Sequence, residues 1–191
     1  MTTTPHTETN PDRYRRLART LDERVRAVPA ERWDAPSPCE GWSARDVLGH
    51  VIETERQFLA GQGGIDLPAG PDVAVDPVAA WQHTSSAIQA VLDDPAQGGK
   101  EYEGVFGRTT IADSLATFYA FDLVIHGWDI AKATGTDERI PAQDLALVKG
   151  FTDALGDNVR RDGVCGPAIE PPARADEQTR LLAYLGRKSW D

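Results

Sequence analysis

At 191 residues the chain suits one domain of ordinary size with a single sizeable core, and a second large domain is not expected. Thirty acidic against twenty basic residues give a formal charge of −10 with no Lys/Arg-rich block, which disfavours nucleic acid as a partner. No apolar run reaches the length of a membrane span and the polar N-terminus lacks a signal-peptide pattern, so a cytoplasmic protein with no membrane partner is expected.

Residues 1–10 are rich in Thr and too polar to bury anything, so they are read as a disordered tail ahead of a single domain over 11–191. From Pro11, Tyr14, Leu17, Leu21, Val25 and Val28 recur at helical spacing and predict the first amphipathic helix. Pro29 to Trp42 is rich in proline and should be an irregular link pinned to the core by Trp33 and Trp42. Ser43 and Asp46 have capping-box spacing and open a second helix with a stripe of Val47, Leu48, Val51, Ile52, Phe58 and Leu59 and a stop at Gly61. His50 projects just outside that stripe. A long Gly/Pro-rich loop runs to Asp76, and Pro77 begins a third helix carrying Val78, Trp81, Ile88, Val91 and Leu92.

EYEGVF, near Tyr102, reads as a brief extended piece or a hairpin arm, and Thr110 with Asp113 opens an unusually apolar fourth helix that ends at Gly135. Pro141 starts a fifth helix with a stripe of Leu145, Val148, Phe151, Thr152 and Leu155, and the tail TRLLAYLGRKSW closes with a short helix. With no repeat or strand-rich block, the expected fold class is all-α, a helical bundle.

The fourth helix carries the chemistry. At about 100° per residue, Asp122, His126 and Asp129 share a side that Ile111, Leu115, Phe118 and Tyr119 continue, so ionisable groups lie on a core face. Burying a carboxylate and an imidazole costs several kcal/mol unless they are paired, hydrogen-bonded or metal-bound. Asp122 and His126, one turn apart, can converge on one divalent cation, and His50 is the candidate third ligand; the alternative is an Asp–His hydrogen bond that satisfies both groups. Asp129 is expected to accept a hydrogen bond or anchor the neighbouring backbone or Trp128 rather than touch a metal, the alternative being a carboxylate bound to the neighbouring helix or to an arginine. His83 is read as exposed or loosely buried. Cys39 and Cys165, far apart and without CxxC spacing, are read as reduced, packed and inert thiols. The sequence has no GxSxG, P-loop or GxGxxG signature, and no catalytic residue is assigned.

SPCEGWSARDVLGHV, FDLVIHGWDIAKATG and RLLAYLGR resemble three segments of actinobacterial proteins related to the N-terminal domain of mycothiol-dependent maleylpyruvate isomerase, in the DinB-like superfamily. The resemblance implies a four-helix bundle with a short additional C-terminal helix and a divalent metal held by His50, Asp122 and His126. It places zinc, nickel or iron there and implies mycothiol or another low-molecular-weight thiol as a partner in transfer to, or isomerisation of, a small electrophilic substrate. The isomerase has glutamate where this chain has Asp122, and its own reaction is not carried over. The other readings are a non-catalytic small-molecule- or protein-binding bundle with a vestigial site, and a homodimer through the fifth helix.

Overall fold

The helices begin where side chains take up free amide protons. The computed structural model describes residues 8–163 and 165–190; of the tail read over 1–10, residues 1–7 lie outside the described residues. Helix α1 spans Asn10–Ala27, with Thr9 accepting from the Asp12 amide, and Glu8 pairs with Arg16 at 2.7 Å. Helix α2, Ala44–Phe58, opens on a reciprocal capping box between Ser43 and Asp46. Helix α3, Pro77–Asp93, is capped by Asp76. A single turn, Pro95–Gly98, leads to a two-stranded antiparallel hairpin, β1 Glu101–Gly104 and β2 Gly107–Thr110, with Glu101 opposite Thr110. Helix α4 is Ala120–Thr134, α5 is Ala142–Leu155 and α6 is Glu177–Tyr184, the last capped by Asp176.

Among the described residues the structure is all-α apart from the hairpin. α1 packs against α3 and α4, and α2 packs against α4 and α3, so four helices enclose one core. α4 lies between α1 and α2, and twelve of its fifteen residues are buried, which is why its sequence is apolar nearly all round. Gly127 marks the α1 crossing: a Cβ there would sit 3.4 Å from Leu21 Cδ1 and from Arg24 Cδ, and Arg24 donates to the Gly127 carbonyl at 2.9 Å.

Two helix boundaries differ from the sequence reading. Gly61 does not stop α2; the chain continues through a π-helical turn, Leu59–Gly63, and stops at Gly64 in the left-handed region at φ 61°. The fourth helix is not uniform either: one α turn, Ile111–Ser114, passes into a π turn, Leu115–Tyr119, before α4. The wider turn shifts the side-chain register. Ile111 and Leu115 stay buried, but Phe118, expected on the core face, is 38 % exposed.

The C-terminal segment is threaded inward. Leu182 and Leu185 are buried, the Arg187 amide donates to the Leu182 carbonyl at 2.8 Å, and the Ile169 amide donates to the Ala183 carbonyl at 3.0 Å. Gly186 adopts φ 78° against the backbone of Gly166 and Pro167, where a Cβ would approach to 3.0 Å. That close, left-handed turn admits only glycine without strain and carries Arg187 into the interior.

Candidate metal centre

α2 contributes His50, and α4 contributes Asp122 and His126. One potential donor atom from each lies within 4.8 Å of the other two. The His50 and His126 rings meet edge to face with centroids 5.1 Å apart, and the Trp42 ring, from the link before α2, has its centroid 4.8 Å from that of His50. Trp42 is more than a third exposed, whereas Trp33 is buried and holds the same link to the core.

Each of the three groups has a distinct electrostatic setting. Burial and the nearby His126 lower the pKa of His50, which leaves a neutral ring with a free electron pair. Burial raises the pKa of Asp122, partly opposed by the charges of His126 and Arg187. For His126 burial works against the imidazolium but is outweighed by hydrogen bonds to Asp129 and Cys39 and by the charges of Asp129 and Asp122, so its pKa rises to about 10.

Asp129 has no exposed surface. Its Oδ2 pairs with His126 Nδ1 at 3.0 Å, and Arg187 clamps both oxygens, Nε to Oδ1 and Nη2 to Oδ2, at 2.8 Å each. The Cys39 thiol donates to the same Oδ2 at 3.4 Å. Burial would raise the Asp129 pKa, but the Arg187 charge and the bonds from His126 and Arg187 lower it to about 2. With Nδ1 of His126 turned to Asp129, Nε2 is the ring nitrogen left for a ligand. A carboxylate that fixes the far nitrogen of a histidine is the usual support of a metal-binding imidazole. Two imidazoles and one carboxylate with room for further ligands fit zinc and related divalent ions.

A second group of donors, Cys39, His126 and Asp129, also lies within 4.8 Å. It shares His126 with the first. Cys165, read from sequence as an inert thiol, is also near the site: burial raises its pKa while its hydrogen bond to Arg187 opposes that rise. His83 is half-buried and its Nε2 is 3.3 Å from the Pro68 carbonyl, away from the group.

Three residues at or beside the site were missed in the sequence reading. Arg187 and Cys39 reach Asp129 from sequence separations of 58 and 90, and no local pattern announces either contact. Glu55 had a signal. It lies four residues after Val51, on the α2 stripe, and is 1 % exposed. Tyr14 donates to its Oε2 at 3.2 Å, and Oε1 has no partner among the described residues. Burial raises its pKa well above the usual carboxylate range, the Tyr14 bond lowers it and the Asp122 charge raises it further, which disfavours the charged form.

The model of the mycothiol maleylpyruvate isomerase N-terminal domain matches residues 14–131, which include His50, Asp122, His126 and Asp129. The chain belongs to that family. Its relatives include two Mycobacterium tuberculosis proteins of strain H37Rv. "Uncharacterized protein Rv0738" is 25 % identical over 166 residues, which span 84 % of this chain and 87 % of that protein. "Uncharacterized protein Rv0036c" is 29 % identical over 134 residues, 60 % of this chain and 52 % of that protein. No solved structure matches the chain. Arg187 falls outside the span that the family model matches.

Proposed function

We propose that the protein binds a divalent metal through His50, Asp122 and His126 and uses a low-molecular-weight thiol, mycothiol in the family's own terms, in transfer to or isomerisation of a small electrophilic substrate. The observation that carries this reading is the convergence of two imidazoles and a carboxylate within 4.8 Å in a chain of this family. Zinc suits the donors, and nickel and iron are compatible with them. When bound, such an ion supplies Lewis acidity that favours the thiolate form of a small thiol.

The chain's own residues prepare that site. His50 offers a neutral nitrogen beside Trp42. Asp122 supplies the one carboxylate of the donor set and offsets part of a cation's charge. His126 is aimed by Asp129, which is itself held in place by the buried Arg187. Trp42 stands at the exposed side of His50, where a thiol or substrate would enter, and supplies an apolar wall there. Glu55 is buried within reach of the Asp122 charge, and burial and that charge disfavour a second negative charge there.

Metal analysis of protein purified without a histidine tag tests the proposal. The expected result is one divalent ion per chain, or one taken up from added zinc with a higher melting temperature, and loss of both in His50→Ala. Absence of stoichiometric uptake together with unchanged melting would refute it. A metal-loaded protein that gives no spectral or calorimetric response to mycothiol would refute the thiol part alone.

A further inference from the structure

His126 belongs to two sets of potential donors. One adds His50 and Asp122, the other Cys39 and Asp129. Thiolate, imidazole and carboxylate together are a good donor set for zinc and softer divalent ions, so the two groups are competing candidate positions that share His126. They differ in one respect. The Cys39 side already contains a cation.

Arg187 is 8 % exposed, lies 58 residues beyond Asp129, and places its guanidinium along both carboxylate oxygens at 2.8 Å. Its Nη2 is 4.0 Å from Cys39 Sγ, and its Nη1 is anchored on the Leu185 carbonyl at 3.2 Å. Every donor that a metal would need on this side is committed: Oδ1 to Nε, Oδ2 to Nη2 and to His126 Nδ1, and the thiol to Oδ2. A divalent ion bound to Cys39 and Asp129 would lie within a few ångströms of a fixed positive charge, beside a fully buried carboxylate and a half-buried thiol. The His50 side has no arginine or lysine bonded to its three donors among the described residues, and the Arg187 charge acts on Asp122 there without a hydrogen bond.

We infer that Arg187 selects the metal position: its guanidinium acts as a resident cation in the Cys39–His126–Asp129 set and directs a divalent metal to His50–Asp122–His126. The arginine has to be a fork rather than a point charge to hold both oxygens at once, but any cation at that place has the excluding effect. Asp129 therefore serves as the counter-ion of Arg187 and as the acceptor of His126, and Cys39 stays a thiol rather than a ligand. The inference rests on the proposed metal reading for the position that is used, and stands apart from it for the position that is barred.

Cobalt(II) titration of the full chain tests it, because cobalt bound to a thiolate gives a near-ultraviolet charge-transfer band that histidine and carboxylate ligands do not. Wild-type protein is expected to bind one equivalent with visible ligand-field bands and no thiolate band. Arg187→Gln is expected to gain the thiolate band, Arg187→Gln with Cys39→Ser to lose it again, and Arg187→Lys, which keeps a cation, to resemble wild type. If Arg187→Gln does not fold even with cobalt present, His50→Ala decides: with the first position crippled and Arg187 in place, no thiolate band is expected. A thiolate band in wild type or in His50→Ala would overturn the inference, as would a folded Arg187→Gln without one. Wild-type protein that takes up no cobalt, beside an Arg187→Gln that shows the band, would sink the proposed function and the directing of metal to His50–Asp122–His126, and leave only the barring of the Cys39 set standing.

Discussion

Asp129 binds both a cation and an imidazole, and its removal leaves Arg187 without its carboxylate and His126 with only the Asp122 charge. Truncating one partner of a buried ion pair costs about 3–5 kcal/mol, because the remaining charge is stranded. Asp129→Ala is therefore expected to lower stability by that order in chemical denaturation and to weaken zinc binding by about 10–100-fold, the usual cost of losing the group that orients a metal-binding histidine. Equal zinc affinity in a folded Asp129→Ala protein would contradict the supporting role. The same pair sets a pH dependence. His126 has its pKa raised from 6.5 to about 10, so in the metal-free protein its stabilisation is complete below pH 6.5 and is lost as pH rises through about 10. Asp129 has its pKa lowered from 3.8 to about 2, so its contribution is complete above pH 3.8 and is lost as pH falls through about 2. A metal competes with the proton on His126 and reverses the alkaline trend. Zinc affinity measured by calorimetry should rise with pH from neutrality towards 10 with proton release, while the stability of metal-free protein declines over the same range. A zinc affinity independent of pH there would show that His126 is not a ligand.

At the scale of the element, α4 decides where the site lies, and it was the most legible part of the sequence. The spacing of Asp122, His126 and Asp129 on an apolar helix is a local property, and Gly135 at φ 73° ends that helix where the sequence reading placed its stop. The π turn at Leu115–Tyr119 was not legible, since nothing in its composition differs from an α turn, and with it the exposure of Phe118 was missed. Glu55 was passed over for a different reason: a carboxylate on a stripe is ordinarily a surface residue, and only the Tyr14 hydroxyl arriving from α1 explains its burial. Because burial disfavours its charged form, Glu55 should accept replacement by its neutral analogue. Glu55→Gln is expected to change the free energy of unfolding by less than about 1 kcal/mol, whereas Glu55→Ala leaves a cavity and an unpaired Tyr14 hydroxyl and should cost about 2 kcal/mol or more. A large loss in Glu55→Gln would mean that the group is charged in the folded protein. Gly127 makes the corresponding point for the α1 crossing. Its neighbours leave ordinary contact distance for one methyl group and nothing larger, so Gly127→Leu should destabilise by about 1–3 kcal/mol.

Across the whole molecule, the ends of the chain complete what the central helix begins. Arg187 comes from the segment after α6 and Cys39 from the link before α2, and the two meet across 148 residues of sequence at the same carboxylate. Such contacts follow from how α1, α2 and the C-terminal segment dock on α4, which no local spacing reports. That is why the three proposed ligands could be named from sequence while the arginine behind them could not. The fold class was legible because helical periodicity and turn residues recur along the chain, and among the described residues no helix is long and apolar enough to cross a membrane. Binding of a metal to the folded state alone couples the site to global stability. Zinc at a hundred times its dissociation constant should add about 2.7 kcal/mol, and for a chain of this size each kcal/mol moves the melting temperature by roughly 2–4 °C.

The central claim, that His50, Asp122 and His126 hold one metal, is tested most directly by anomalous X-ray scattering from crystals of zinc-loaded protein, recorded on either side of the zinc absorption edge. The account predicts a single anomalous peak bounded by His50, Asp122 and His126 Nε2, with Arg187 still clamping Asp129. A peak against Cys39 and Asp129, or none in protein that carries stoichiometric zinc elsewhere, would contradict it.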